Sequence, residues 1–143
     1  DIFDYIPPQK TNQIFTPKII VKKMVDMLEE ENQGCFDMPD KTFIDLYMKS
    51  GLYIAEIVKR LYQSEEMKRK FPDNKERLKH IFEKQVYGLA PTEIIYKIAT
   101  SYILGFDEDT KNIRHNFRRL DALPYAKEKT LGEVLDELYS EQQ

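Results

Sequence analysis

One cysteine, Cys35, is the only thiol in this chain of 143 residues, which excludes an internal disulfide and a cysteine-based zinc site. With only His80 and His115 beside it, the ligand set for a structural metal is too thin, and none is expected. No apolar run is long enough to cross a bilayer, and no signal peptide opens the chain. A reducing, cytoplasmic setting without membrane contact is therefore expected. Neither sign of charge prevails: 22 Lys and Arg stand against 25 Asp and Glu, for a formal net charge of -3. That balance gives no global electrostatic case for nucleic acid, so such a role must rest on a local patch. The five glycines form no full Gly-x-Gly-x-x-Gly, which argues against a nicotinamide cofactor. No tandem repeat or low-complexity segment occurs.

What remains is 41% hydrophobic and 33% charged, the composition of a soluble domain with one sizeable core and a heavily charged surface. The chain opens on Asp1 rather than Met and closes on Glu141-Gln142-Gln143, and it reads as a piece of something longer. Residues 1–15, with Pro7-Pro8, form an extended lead-in. Thr16-Pro17 then has the form of an N-cap followed by proline at the first helical position. Ile19, Ile20, Met24, Val25, Met27 and Leu28 recur at helical spacing behind it. Phe43-Ile44-Asp45-Leu46 reads as a first strand, and a helix with a broad apolar face starts directly after Gly51. That helix fades into a solvated charged stretch, Glu65 to Lys70. Asn74 is placed to cap a short helix through Leu78, Ile81 and Phe82. Gln85-Val86-Tyr87-Gly88-Leu89 is a second strand, followed by a helix capped by Thr92 and stopped at Gly105. Asn112-Ile113-Arg114-His115 is the expected third strand. Thr130-Leu131-Gly132-Glu133 spells a capping box for a final helix.

Helices alternating with strands predict an α/β domain: a small parallel sheet of about three strands with flanking helices. The segment from Phe43 to Gly51 is the most informative point in it. A strand's carboxyl end, a turn of small residues and a helix start coincide there, and ligands of open α/β sheets gather at such points. Asp45 stands where the strand ends, able to accept a hydrogen bond from a ligand or from the loop's own amides. Ser50 and Gly51 let the backbone turn closely, around a ligand or simply around itself.

Four segments occur in the order seen in one family: Gln13-Ile14-Phe15-Thr16-Pro17, Asp45 with Ser50-Gly51, Val86-Tyr87-Gly88, and Asp121-Ala122-Leu123-Pro124-Tyr125. Together they resemble the amino-terminal, cofactor-binding part of an adenine-specific DNA methyltransferase of restriction–modification systems. The resemblance runs from about residue 9 to the end, through an ordered set of motifs none of which is specific alone. It implies a Rossmann-like, class I methyltransferase fold, truncated over residues 16–143, that uses S-adenosylmethionine. In that family a Phe-x-Thr-Pro-like element touches the methionine end of the cofactor, here Phe15, Thr16 and Pro17. Its first-strand motif, Asp-Pro-x-x-Gly-Ser-Gly, surrounds the amino-acid moiety, and Asp45, Ser50 and Gly51 match it. Leu46 replaces the proline, and Lys49 replaces the first glycine, bringing a cation into a loop normally kept bare. Gly88 matches the second-strand glycine, but Ala90 stands where the ribose-binding acid is usual. Glu93 is one turn on, either as its substitute or as a first-turn helix acid. Asp121 falls where the family has an aspartate for the adenine amino group, and it is equally an ordinary turn residue.

The family's catalytic Asn/Asp/Ser-Pro-Pro-Tyr/Phe loop, which holds a flipped adenine, is missing. Pro7-Pro8 precedes every strand, and Leu123-Pro124-Tyr125 lacks the polar residue and one proline. No catalytic residue is assigned, and no methyl transfer is expected of this chain alone. Double-stranded DNA would be met by the full-length protein, with Arg114, Arg118 and Arg119 as candidate phosphate contacts. The rival expectation is a methyltransferase-like binding module that contacts DNA or protein without cofactor turnover. A third is another Rossmann-like enzyme that uses a nucleotide.

Overall fold

The computed structural model describes residues 16–105, 110 and 112–140. Three short parallel strands, β1 (Phe43–Asp45), β2 (Val86–Ala90) and β3 (Phe117–Arg119), form one sheet in the order β1-β2-β3. Asp45 lies opposite Gly88, Gly88 opposite Phe117 and Ala90 opposite Arg119, so β2 and β3 end level and β1 ends two residues short of them. Seven α-helices accompany the strands among the described residues: α1 (Lys18–Glu31), α2 (Leu52–Gln63), α3 (Glu65–Lys70), α4 (Asn74–His80), α5 (Glu93–Leu104), α6 (Leu123–Lys127) and α7 (Leu131–Tyr139). A π-helical turn, Ile81–Gln85, joins α4 to β2. The protein is an α/β fold with a small parallel sheet, and none of the described helices is long and apolar enough to cross a membrane.

α2 is the central helix. Ile54, Ile57, Val58 and Leu61 recur at i, i+3, i+4 and i+7, and all are buried. It packs on β1, β2 and α5, and its outer flank receives α1. Arg60 fastens that flank, reaching Asp26 at 2.6 Å and Glu29 at 3.4 Å on α1 and Glu56 at 2.9 Å on its own helix. α1 buries little besides Val21 and Val25, so much of its registration depends on this half-buried guanidinium. Gln85 and Asn116 are buried amides that peg loops to the core. Gln85 donates to the carbonyls of Met38 and Lys41, and Asn116 to those of Phe82, Glu83 and Val86.

Several expectations are corrected. The third strand is Phe117–Arg119 rather than Asn112–His115, because that is the segment brought alongside Gly88–Ala90. Glu65–Lys70 is helical, capped by the Ser64 hydroxyl and anchored by fully buried Met67. Asp73, not Asn74, caps α4 by accepting the Glu76 amide. Pro17 occupies the N-cap of α1, where its carbonyl accepts from Ile20 and Val21, and Thr16 precedes the cap. The capping box at Thr130 does not form. Its amide and hydroxyl both donate to the Tyr125 carbonyl, which closes α6 instead.

Candidate ligand-binding cleft

Immediately after Asp45 the chain folds back over the sheet. The Asp45 carboxylate accepts the Tyr47 amide at 3.0 Å, turning the backbone. The Met48 amide then donates to the Leu89 carbonyl at 2.8 Å, and the Met48 side chain is fully buried. Ser50, only 5% exposed, accepts the Leu52 amide with its hydroxyl at 3.3 Å. Gly51 takes φ +88°, and α2 begins. A side chain at Gly51 would be strained by that φ, and its Cβ would come within 2.8 Å of the Ala99 carbonyl oxygen. The glycine therefore lets α2 start hard against α5.

This loop and α1 enclose a cleft of about 260 Å³. Asp45, Tyr47, Lys49, Ser50 and Gly51 line it from the loop, and Leu52 and Tyr53 from the first turn of α2. Thr16, Val21 and Met24 close the side formed by α1. Its volume lies at the small end for ligand sites, sized for an amino-acid-like group rather than a whole nucleoside. The walls are mainly apolar and aromatic, with one carboxylate and one ammonium among them. Burial pushes the Asp45 carboxyl above the usual aspartate range, against the opposing pull of the Tyr47 amide and the Lys49 charge. Burial, with the Asp45 charge as a lesser cause, also raises the Tyr53 hydroxyl. A second groove, of about 310 Å³, lies beyond Val21 and Leu52, with Lys18, Lys59 and Tyr102 on its walls.

The cleft thus unites Thr16 with Asp45, Ser50 and Gly51. Other candidates are elsewhere. Gly88 lies in β2, where an added Cβ would clash with Met48 Sδ, so this chain's own methionine makes the close approach. Glu93 is exposed on α5 and pairs with Lys97 at 3.9 Å and Arg119 at 3.5 Å. Asp121 is exposed, and its carboxylate accepts the Leu123 amide at the start of α6. Phe15 lies outside the described residues. Arg118 donates to the carbonyls of His115 and Phe117 and lies over Tyr139. Arg119 is engaged with Glu93, and Arg114 is exposed. Met24 is a cleft residue that the sequence marked only as part of a helical apolar face, and Val21 is one it did not single out; their i, i+3 spacing was the available signal. Among the described residues no group of three or more His, Cys, Asp or Glu could hold a metal ion.

No family model matches this chain, and no curated protein is significantly similar to it.

Proposed function

We propose that the cleft binds the amino-acid end of S-adenosylmethionine. In this reading the chain is the cofactor-binding portion of an adenine-specific DNA methyltransferase of a restriction–modification system. The observation that carries it is the convergence of Thr16 with Asp45, Ser50 and Gly51 at the carboxyl end of a parallel sheet. Those are residues the resemblance assigns to the methionine end, and they come from two separate segments. Ligands of open α/β sheets sit at such strand ends, and the strand order is compatible with half of a Rossmann-like, methyltransferase-like sheet. Asp45 supplies a carboxylate for the ligand's ammonium, and the start of α2 supplies partial positive charge for its carboxylate.

The methionine end fits; the adenosine end has no counterpart on this cleft. Glu93 and Asp121 lie off it, and Met48 fills the space against Gly88. The proposed contact set is therefore Thr16, Asp45, Ser50 and Gly51, and contacts to ribose and adenine are left to other parts of the full-length protein. So are methyl transfer and double-stranded DNA, in a cytoplasmic setting. Titration calorimetry with S-adenosylmethionine and S-adenosylhomocysteine tests the assignment. Saturable binding that Asp45→Ala abolishes is expected, and unchanged affinity in the variant would sink it.

A second reading, a binding module that contacts DNA or protein without turnover, draws on Met48 and Lys49. The first is packed where a cofactor's nucleoside would need room, and the second sets a cation in the turn. Salt-dependent DNA binding with no response to S-adenosylmethionine would favour it. Among the three candidate arginines, Arg118 and Arg119 are already engaged within the chain, which weakens that surface.

A further inference from the structure

We propose that Lys49 determines ligand specificity by holding the carboxylate of a zwitterionic ligand whose ammonium faces Asp45. This rests on the reading of the cleft given above. Among the described residues lining the cleft, Lys49 is the only cation and Asp45 the only anion. Lysine is seldom withdrawn from water unless it is paired, yet Lys49 is only partly exposed. None of the ion pairs among the described residues uses it.

Its place in the chain is firmly set. Met48 on one side is fully buried and tied by its amide to Leu89, and Ser50 on the other is buried against the first turn of α2. Lys49 therefore starts from a backbone fixed between two anchored neighbours. The positive end of α2 begins three residues later, at Leu52, and adds to the same field. Opposite charges in one small cleft, with Val21, Met24 and Leu52 around them, match a ligand end that bears an ammonium and a carboxylate side by side. An α-amino acid head has that form. A cleft for a purely cationic ligand would gain nothing from Lys49, since like charges repel.

The test is binding of three probes to this chain: S-adenosylmethionine, its decarboxylated analogue, and 5′-methylthioadenosine, which lacks the whole amino-acid end. A charge-assisted hydrogen bond predicts that the wild type prefers S-adenosylmethionine over the decarboxylated compound by roughly ten- to a hundredfold. Lys49→Met should erase that preference by weakening S-adenosylmethionine alone, and Lys49→Arg should keep most of it. The wild-type comparison needs no variant, and melting curves establish that each variant is folded. Equal wild-type affinities for the first two probes, or a preference that survives in Lys49→Met, would overturn the role of Lys49 and leave the cleft assignment standing. If the wild type binds none of the three probes, both are overturned.

Discussion

Asp45 keeps a carboxylate where its charge is costly, because burial raises its titration above the ordinary aspartate value of 3.8. The folded carboxyl therefore holds its proton more tightly than the unfolded one. Stability falls as pH rises through the window between the two values, and the penalty is complete above the folded one. Asp45→Asn keeps an Oδ1 to accept the Tyr47 amide and removes the charge. At pH 7 this variant is expected to melt above the wild type, with the difference vanishing at pH values low enough to protonate Asp45. A variant that melts lower at neutral pH would mean that the ionised carboxylate is net stabilising. The proposed ligand would move the other way: its ammonium would favour ionised Asp45, so affinity should climb with pH through its titration and then level off. Those two opposite pH dependences together would mark Asp45 as part of a site rather than of a turn alone.

Among the elements, the loop after β1 packs closely on strand β2. Met48 lies against the bare face of Gly88, with Phe117 of β3 beside them. Gly88→Ala forces Met48 or the strand to move and should cost about 1–3 kcal/mol, the usual range for overpacking. Met48→Ala leaves a cavity and should cost about 2–5 kcal/mol. In the double variant the new methyl enters space the methionine has left. The combined loss in urea denaturation should fall short of the sum by about 0.5–3 kcal/mol. Strict additivity would show that the loop and strand do not share this space.

Across the whole molecule, Asn116 ties together parts far apart in sequence. Its side chain serves carbonyls of the π-helical turn and β2, its carbonyl accepts the Gly88 amide at 3.2 Å, and the Tyr139 hydroxyl of α7 donates to the same carbonyl at 3.0 Å. Burial pushes the Tyr139 hydroxyl up to about 12, so it remains a donor throughout the neutral range. Asn116→Ala leaves buried carbonyls without their donor and is expected to destabilise by about 2–4 kcal/mol. Tyr139→Phe deletes one hydrogen bond at the periphery and should lose only about 1 kcal/mol. Chemical denaturation of the two variants checks the order. Equal losses would mean that α7, rather than the amide peg, holds the strands in place.

Local chemistry was legible in the sequence where it is decided locally. Thr92 caps α5 through its hydroxyl at 3.2 Å from the Ile95 amide, α2 shows its buried face in its spacing, and Asp45 closes β1 as expected. The four cleft residues Thr16, Asp45, Ser50 and Gly51 were likewise visible as strand end, small-residue turn and helix start. Partner choice was not legible. Phe117-Arg118-Arg119 does not read as a strand, and becomes one because β2 offers it a parallel edge. Thr130 has the letters of a capping box but spends its donors on the Tyr125 carbonyl. Gly88 matches a second-strand glycine of the resembled family, and the fold puts Met48 against it. The sequence by itself determined the α/β class, the helix faces and the Asp45 turn, because caps, periodicity and turn preferences act within a few residues. Only the tertiary structure decided which strand pairs, which amides become pegs and which residues share the cleft. Those outcomes depend on competition among distant groups for the same space and the same hydrogen-bond partners.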